Sequence, residues 1–175
     1  MITIALVVIN ILVYANFLFL PIDYEHYIGL YGLNNSNLYN PIIWITSMFL
    51  HAGIAHIAMN MIALLQVGLL TEKNISSKIM FFVYFLSGLG GSLASVAYIG
   101  SSDQLINVVG ASGAIFGLFA FYSIVSGQIA SFVIQAVIFH VIILSLHLPI
   151  AWYAHAGGIF VGVLFALFYL MKKEF

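Results

Sequence analysis

Charge is nearly absent from the interior of this sequence, and nothing else constrains its fold as strongly. Four basic and five acidic residues serve a chain of 175. They sit at the ends of, or in the gaps between, six apolar stretches at about residues 2–20, 47–70, 78–99, 112–127, 129–147 and 152–172. Each stretch approaches the roughly 20 helical residues that cross a bilayer. Charged residues make up 5% of the chain and hydrophobic ones 64%, whereas a soluble domain is about one quarter charged. A soluble fold of this size could not cover its surface with so few charges. The pattern predicts an all-α polytopic membrane protein, a six-helix transmembrane bundle embedded in the lipid bilayer. Near-neutral charge leaves no basic patch for nucleic acid. The absence of cysteine excludes disulfides, thiolate catalysis and cysteine-based metal sites.

The breaks between stretches are chemically coherent. Pro21-Ile-Asp23-Tyr-Glu25 ends the first, and Thr71-Glu72-Lys73-Asn74 separates the second from the third. Gly100-Ser-Ser-Asp103-Gln follows the third, Ser126-Gly127-Gln128 reads as a tight turn, and His147-Leu-Pro149 marks the fifth break. The first stretch lacks a basic n-region and is too long for a typical signal-peptide core, so it reads as a retained helix. No repeat and no linker appears, so residues 1–175 read as a single transmembrane domain. Lys73 and Lys78 lie in one loop and Lys172 and Lys173 at the C-terminal end. With six spans these fall on one side, and the positive-inside rule makes that side, with both termini, cytoplasmic. The first loop, about 21–46, is rich in Tyr and carries Trp44. Such aromatics favour the interface, so the loop is expected to lie partly in the outer leaflet.

Polar groups inside the spans are the functional candidates, since they are rare there and face the bundle interior. The second span carries His51, His56 and Asn60, the last two one helical turn apart. By itself this set reads equally as interhelical hydrogen-bonding glue. Gly110-Ala-Ser112-Gly113 opens the fourth span, and His155 lies early in the sixth. His26, His140 and His147 have no polar companions of this kind and are assigned structural or interfacial roles. Depth then separates chance from design. His56 stands 15 residues before Thr71, Ser112 15 before Gly127 and His155 17 before Lys172. At about 1.5 Å per residue all three lie roughly 22–26 Å above a common cytoplasmic plane. The fourth span, starting at Ser112, is too short for a core about 30 Å thick. Its N-terminus must begin inside the membrane, where irregular backbone survives only if buried in protein or lining a wet cavity. Backbone N–H groups at that helix start favour developing negative charge. Gly113 and Gly117 on one helix, and Gly158 and Gly162 on another, permit the close approach a Ser–His hydrogen bond requires.

These residues resemble those of the rhomboid intramembrane serine proteases. The matching motifs are H-x-x-x-x-H-x-x-x-N at His51, His56 and Asn60, G-x-S-G at Gly110 to Gly113, and A-H-x-x-G-x-x-x-G from Ala154 to Gly162. They occur on the second, fourth and sixth spans, and the likeness covers nearly the whole chain as a minimal six-span core. The resemblance implies that Ser112 is the nucleophile and His155 its general base and later acid. It implies an oxyanion hole of His56, Asn60 and the Ser112 N–H, with Phe116 stacked on the catalytic imidazole where an aromatic commonly sits. His51 would brace the loop above the site. The implied substrates are single-span membrane proteins, cut near the outer face at small residues with helix-weakening residues beyond. The fifth span and the loop above the site would move aside for them. No cofactor is implied. The compact core points to a prokaryotic plasma membrane. Two departures concern support: no arginine is present for a common Trp-Arg pair in the first loop, and Ile150 stands where a glycine often opens the last motif.

The residues also limit the chemistry. No Asp or Glu lies within the spans, so packing must orient His155 in a dyad rather than a triad. Two alternatives remain at this stage. One is a metal or haem site on His51, His56 and His155, disfavoured by the lack of H-E-x-x-H and of nearby carboxylates. The other is an inactive relative that only binds transmembrane helices.

Overall fold

The computed structural model describes residues 1–20, 23–145 and 150–173. The breaks at Pro21 and at His147 to Pro149 lie outside them. Eight α-helices run through the described chain: α1 (Ile2–Leu18), α2 (Tyr24–Tyr31), α3 (Pro41–Thr46), α4 (Ile54–Asn74), α5 (Ser77–Gly100), α6 (Ser112–Val125), α7 (Ile129–Ser145) and α8 (Trp152–Lys173). α4, α5 and α8 are long and apolar enough to cross a membrane, and α1, α6 and α7 are shorter apolar helices. This is the all-α membrane bundle expected from the hydropathy.

Glycine sets the centre of the bundle. A Cβ added at Gly158 would overlap the backbone carbonyl of Gly113, and one at Gly162 would overlap that of Gly117. α6 and α8 therefore touch backbone to backbone. α5 joins them through Gly91, where a Cβ would come 2.8 Å from the Ala154 carbonyl oxygen. In lipid no hydrophobic drive pulls helices together, so this close packing is the main cohesive term. Around it Leu64, Val67, Met80, Val83, Tyr84, Leu118 and Phe121 form a core with essentially no exposure. α1 packs on α4, and the two are also joined by polar contacts. Glu72 accepts hydrogen bonds from the backbone N–H and hydroxyl of Thr3, and so supplies an acceptor to the otherwise unpaired first turn of α1. α7 is the least buried of the six long apolar helices. Ile143 is its only buried residue among the described ones.

One boundary differs from the sequence reading. The second span was expected from residue 47, with His51 on its helix. Instead Ser47–Phe49 forms a single 3-10 turn, Leu50 to Gly53 is irregular, and α4 begins at Ile54. The Ser47 carbonyl explains the break, because it accepts hydrogen bonds from Leu50 N–H and from Gly110 N–H. Pairing with the distant Gly110 takes the place of helical continuation here. At the other end α6 stops at Val125 and closes with Gly127 at φ 72°. Gln128 N–H bonds the Ser123 carbonyl and Gly127 N–H that of Ile124, a Schellman closure that turns the chain into α7.

The first loop is a folded layer. Asp23 and Asn40 cap α2 and α3 through side-chain oxygens, with Pro41 at the first helical position. Leu33–Asn34 pairs antiparallel with Asn107–Val108, joining this loop to the one before α6. Asn35 adds bonds to the Gln104 carbonyl and from Ile106 N–H. Ser92 of α5 donates to the Trp44 carbonyl at 2.7 Å. These contacts anchor the loop without arginine. Tyr39, Ile42, Leu30 and Ile45 stay exposed on it, an apolar surface suited to the outer leaflet.

Candidate active site

The site forms where α6 begins. Gly110 adopts φ 122°, a conformation open to glycine and strained for other residues. A Cβ there would also lie 2.8 Å from the His56 Nε2 and 3.8 Å from the Asn60 Nδ2. Glycine is thus required twice, for the turn and for the space in front of two potential donors. The loop then enters α6 at Ser112, whose backbone N–H is among the free donors of the first turn. Rising about 1.5 Å per residue, the 14-residue α6 covers only about 21 Å, so its start lies within the membrane thickness.

Ser112 Oγ lies 2.9 Å from His155 Nε2 on α8. The backbone contacts at Gly113–Gly158 and Gly117–Gly162 allow this distance, because any larger residue there would hold the helices apart. Phe116, one turn along α6, stacks on the His155 ring at 4.4 Å between centroids and 26°. His155 is 5% exposed and Asn60 1%, while Ser112 and His56 are half-buried.

His56 and Asn60 lie one turn apart on α4 beside this pair. His56 Nδ1 accepts the Ala52 N–H at 3.2 Å, which puts the proton of a neutral ring on Nε2, the nitrogen facing Gly110. Asn60 spends one amide hydrogen on the His56 carbonyl and keeps a second. His51 is 2% exposed and packs edge-on against His56 with ring centroids 5.0 Å apart. It touches His56 from the irregular segment, not from α4 as expected. The imidazoles of the metal alternative do not converge. Among the described residues no three His, Cys, Asp or Glu side chains gather as metal ligands.

One contact was missed in the sequence. His140 of α7, assigned a structural or interfacial role, lies with Nε2 3.2 Å from His155 Nδ1. A lone ionisable residue in mid-span is the signal that could have found it. A cavity of about 400 Å³ leads from Ser112 and Asn60 outward between α4 and α7, past Phe116, Gln66, Gln135 and Phe139. Gln66 donates to Gln135 across it at 3.2 Å.

Residues 38–172 match the family model described as the Rhomboid domain. The chain belongs to the rhomboid family. RHOMBOID-like protein 6, mitochondrial, of Arabidopsis thaliana is 31% identical over 141 residues, covering 74% of this chain and 44% of that protein. RHOMBOID-like protein 4 of the same plant is 32% identical over 136 residues, 73% of this chain and 34% of that protein. Rhomboid protease GluP of Bacillus subtilis (strain 168) is 40% identical over 73 residues, 42% of this chain and 13% of that protein. The chain therefore spans less than half the length of these rhomboid relatives. Family membership and the apolar helices make it an integral membrane protein of a family that includes proteases.

Proposed function

We propose that this rhomboid is an intramembrane serine endopeptidase that cuts single-span membrane proteins within or near their transmembrane segments. The observation that carries the reading is the 2.9 Å contact between Ser112 Oγ and His155 Nε2 at the membrane-embedded start of α6. In this reading one transmembrane unit, residues 1–175, holds the whole site, with its termini in the cytoplasm and the active site opening toward the outer face. A prokaryotic plasma membrane is the proposed setting.

His155 takes the Ser112 proton on Nε2 as the hydroxyl attacks the scissile carbonyl. The oxyanion that forms is met by the Ser112 N–H, by the Nε2–H of His56 and by the free amide hydrogen of Asn60. Donors of this kind are worth about 3–4 kcal/mol each in a water-poor site, where they need no reorganisation. His155 then protonates the leaving amine, and water admitted from the outer side resolves the acyl-enzyme. Uncharged imidazole and amide donors suit this depth, where a Lys or Arg would be costly to bury. A substrate helix entering between α4 and α7 must unwind to present a carbonyl to Ser112. That favours small and helix-weakening residues around the cut.

The test is purified protein reconstituted with a single-span substrate. Cleavage by wild type and its loss in Ser112→Ala is the expected result. Equal cleavage by both would end this reading.

A further inference from the structure

Among the described residues no carboxylate orients His155: Asp23, Glu25, Glu72 and Asp103 lie in loops or at helix ends, and the side-chain partners of His155 are His140 and Ser112. Two neutral groups occupy its surroundings instead, the Phe116 ring and the His140 imidazole. Phe116 fixes the ring plane, but a stacked ring cannot choose which nitrogen carries the proton.

The hydrogen bonds of His140 make that choice. Its Nδ1 lies 2.8 Å from the Ala136 carbonyl oxygen, one turn back on α7. A carbonyl only accepts, so His140 Nδ1 must carry a proton. In the neutral ring Nε2 is then an acceptor, and the group facing it at 3.2 Å, His155 Nδ1, must be the donor. With its proton on Nδ1, neutral His155 holds its lone pair on Nε2, aimed at Ser112 Oγ 2.9 Å away. The arrangement closes from a backbone carbonyl through two imidazoles to the nucleophile with every partner satisfied. A charged His140 would reverse the last two bonds. That reversal would leave His155 without a lone pair facing Ser112 Oγ, so the arrangement suited to attack is the one with His140 protonated on Nδ1 alone. Phe139 packs edge-on to both imidazoles, at 5.8 Å from His140 and 6.2 Å from His155, and helps keep them dry.

We propose that His140 is a positioning residue for His155, a neutral imidazole occupying the place a carboxylate holds in a triad. It selects the reactive tautomer and, when His155 gains the Ser112 proton on Nε2, accepts the hydrogen bond from the resulting imidazolium. In this role His140 only accepts a hydrogen bond and takes no proton from His155. The inference rests on the endopeptidase reading, because it assigns a role through His155.

Two variants separate acceptor from bulk. His140→Leu keeps volume without an acceptor, and His140→Gln keeps an amide oxygen near the Nε2 position. The rate of Ser112 phosphonylation by a fluorophosphonate and the kcat for a single-span substrate should both fall about 10- to 100-fold in His140→Leu. That is the size of one hydrogen bond to a charged group. KM should hold, and His140→Gln should recover most of the rate. Imidazole ¹⁵N spectra of the Ser112→Ala protein give a readout free of activity and should show both His140 and His155 protonated on Nδ1. A wild-type rate in His140→Leu, equal slowing by Leu and Gln, or a His155 protonated on Nε2 would each overturn the role of His140. Ser112→Ala run alongside distinguishes the two levels. Labelling that persists in it would overturn the endopeptidase reading and this inference together. Labelling that needs Ser112 but ignores His140 would overturn this inference alone.

Discussion

Asn60 has two amide hydrogens and one visible partner, the His56 carbonyl. Its second hydrogen gains a strong acceptor only when an oxyanion forms, so its contribution should appear in the transition state. Asn60→Ala is expected to lower kcat about a hundredfold with KM little changed, while Ser112 still labels with a fluorophosphonate. Unchanged steady-state kinetics would remove Asn60 from the oxyanion hole. At this scale the sequence was readable where residues could be compared by depth. Ser112, His56 and His155 lie level when counted from the helix ends on one common side, and the fold brings Ser112 and His155 into contact with His56 beside them at Gly110. His140 escaped because its partner stands 15 residues further along, on a different helix. Helical spacing within one segment cannot report such a contact.

Helices carry the next level, and α7 differs from the other long apolar ones. It buries only Ile143 among the described residues and meets α4 across the open cavity through the Gln66–Gln135 hydrogen bond. Neighbouring α6 and α8 are locked backbone to backbone at their glycines, so α7 is the helix free to yield. The chain has no cysteine, which makes a clean test simple. Gln66→Cys with Gln135→Cys, joined by a short bifunctional thiol reagent, should block cleavage of a single-span substrate. Small-reagent labelling of Ser112 should persist. Undiminished cleavage by the joined protein would show that substrate enters elsewhere. The helices themselves were visible as apolar runs, and α5, α6 and α8 begin within a residue of the expected positions. What hydropathy could not show was the irregular segment from Leu50 to Gly53. Flanked by apolar residues, it reads as part of the same run, and only the pairing of Ser47 with Gly110 reveals why it is not helical. The two-residue ladder of Leu33–Asn34 with Asn107–Val108 is likewise too short for any alternating pattern.

For the whole molecule, the proposed orientation follows from the four lysines, and in it the site opens on the opposite face to receive water. Asp103→Cys and Lys78→Cys probe the two faces at exposed positions. In intact cells an impermeant thiol reagent should label the cysteine at 103, and the one at 78 only after permeabilisation. The reverse pattern would invert the topology and turn the site toward the cytoplasm. The molecule as a whole joins a rigid glycine-packed centre, which sets the Ser112–His155 distance, to an outer helix that both borders the entry cavity and carries His140. Motion of α7 would then act on access and on the base together.

The central claim is that Ser112 is a nucleophile activated by His155. Intact-mass analysis after fluorophosphonate treatment tests it most directly. The account predicts one adduct on wild type, mapped to Ser112, with none on Ser112→Ala and sharply slowed formation on His155→Ala. An adduct elsewhere, or equal labelling of wild type and His155→Ala, would contradict it.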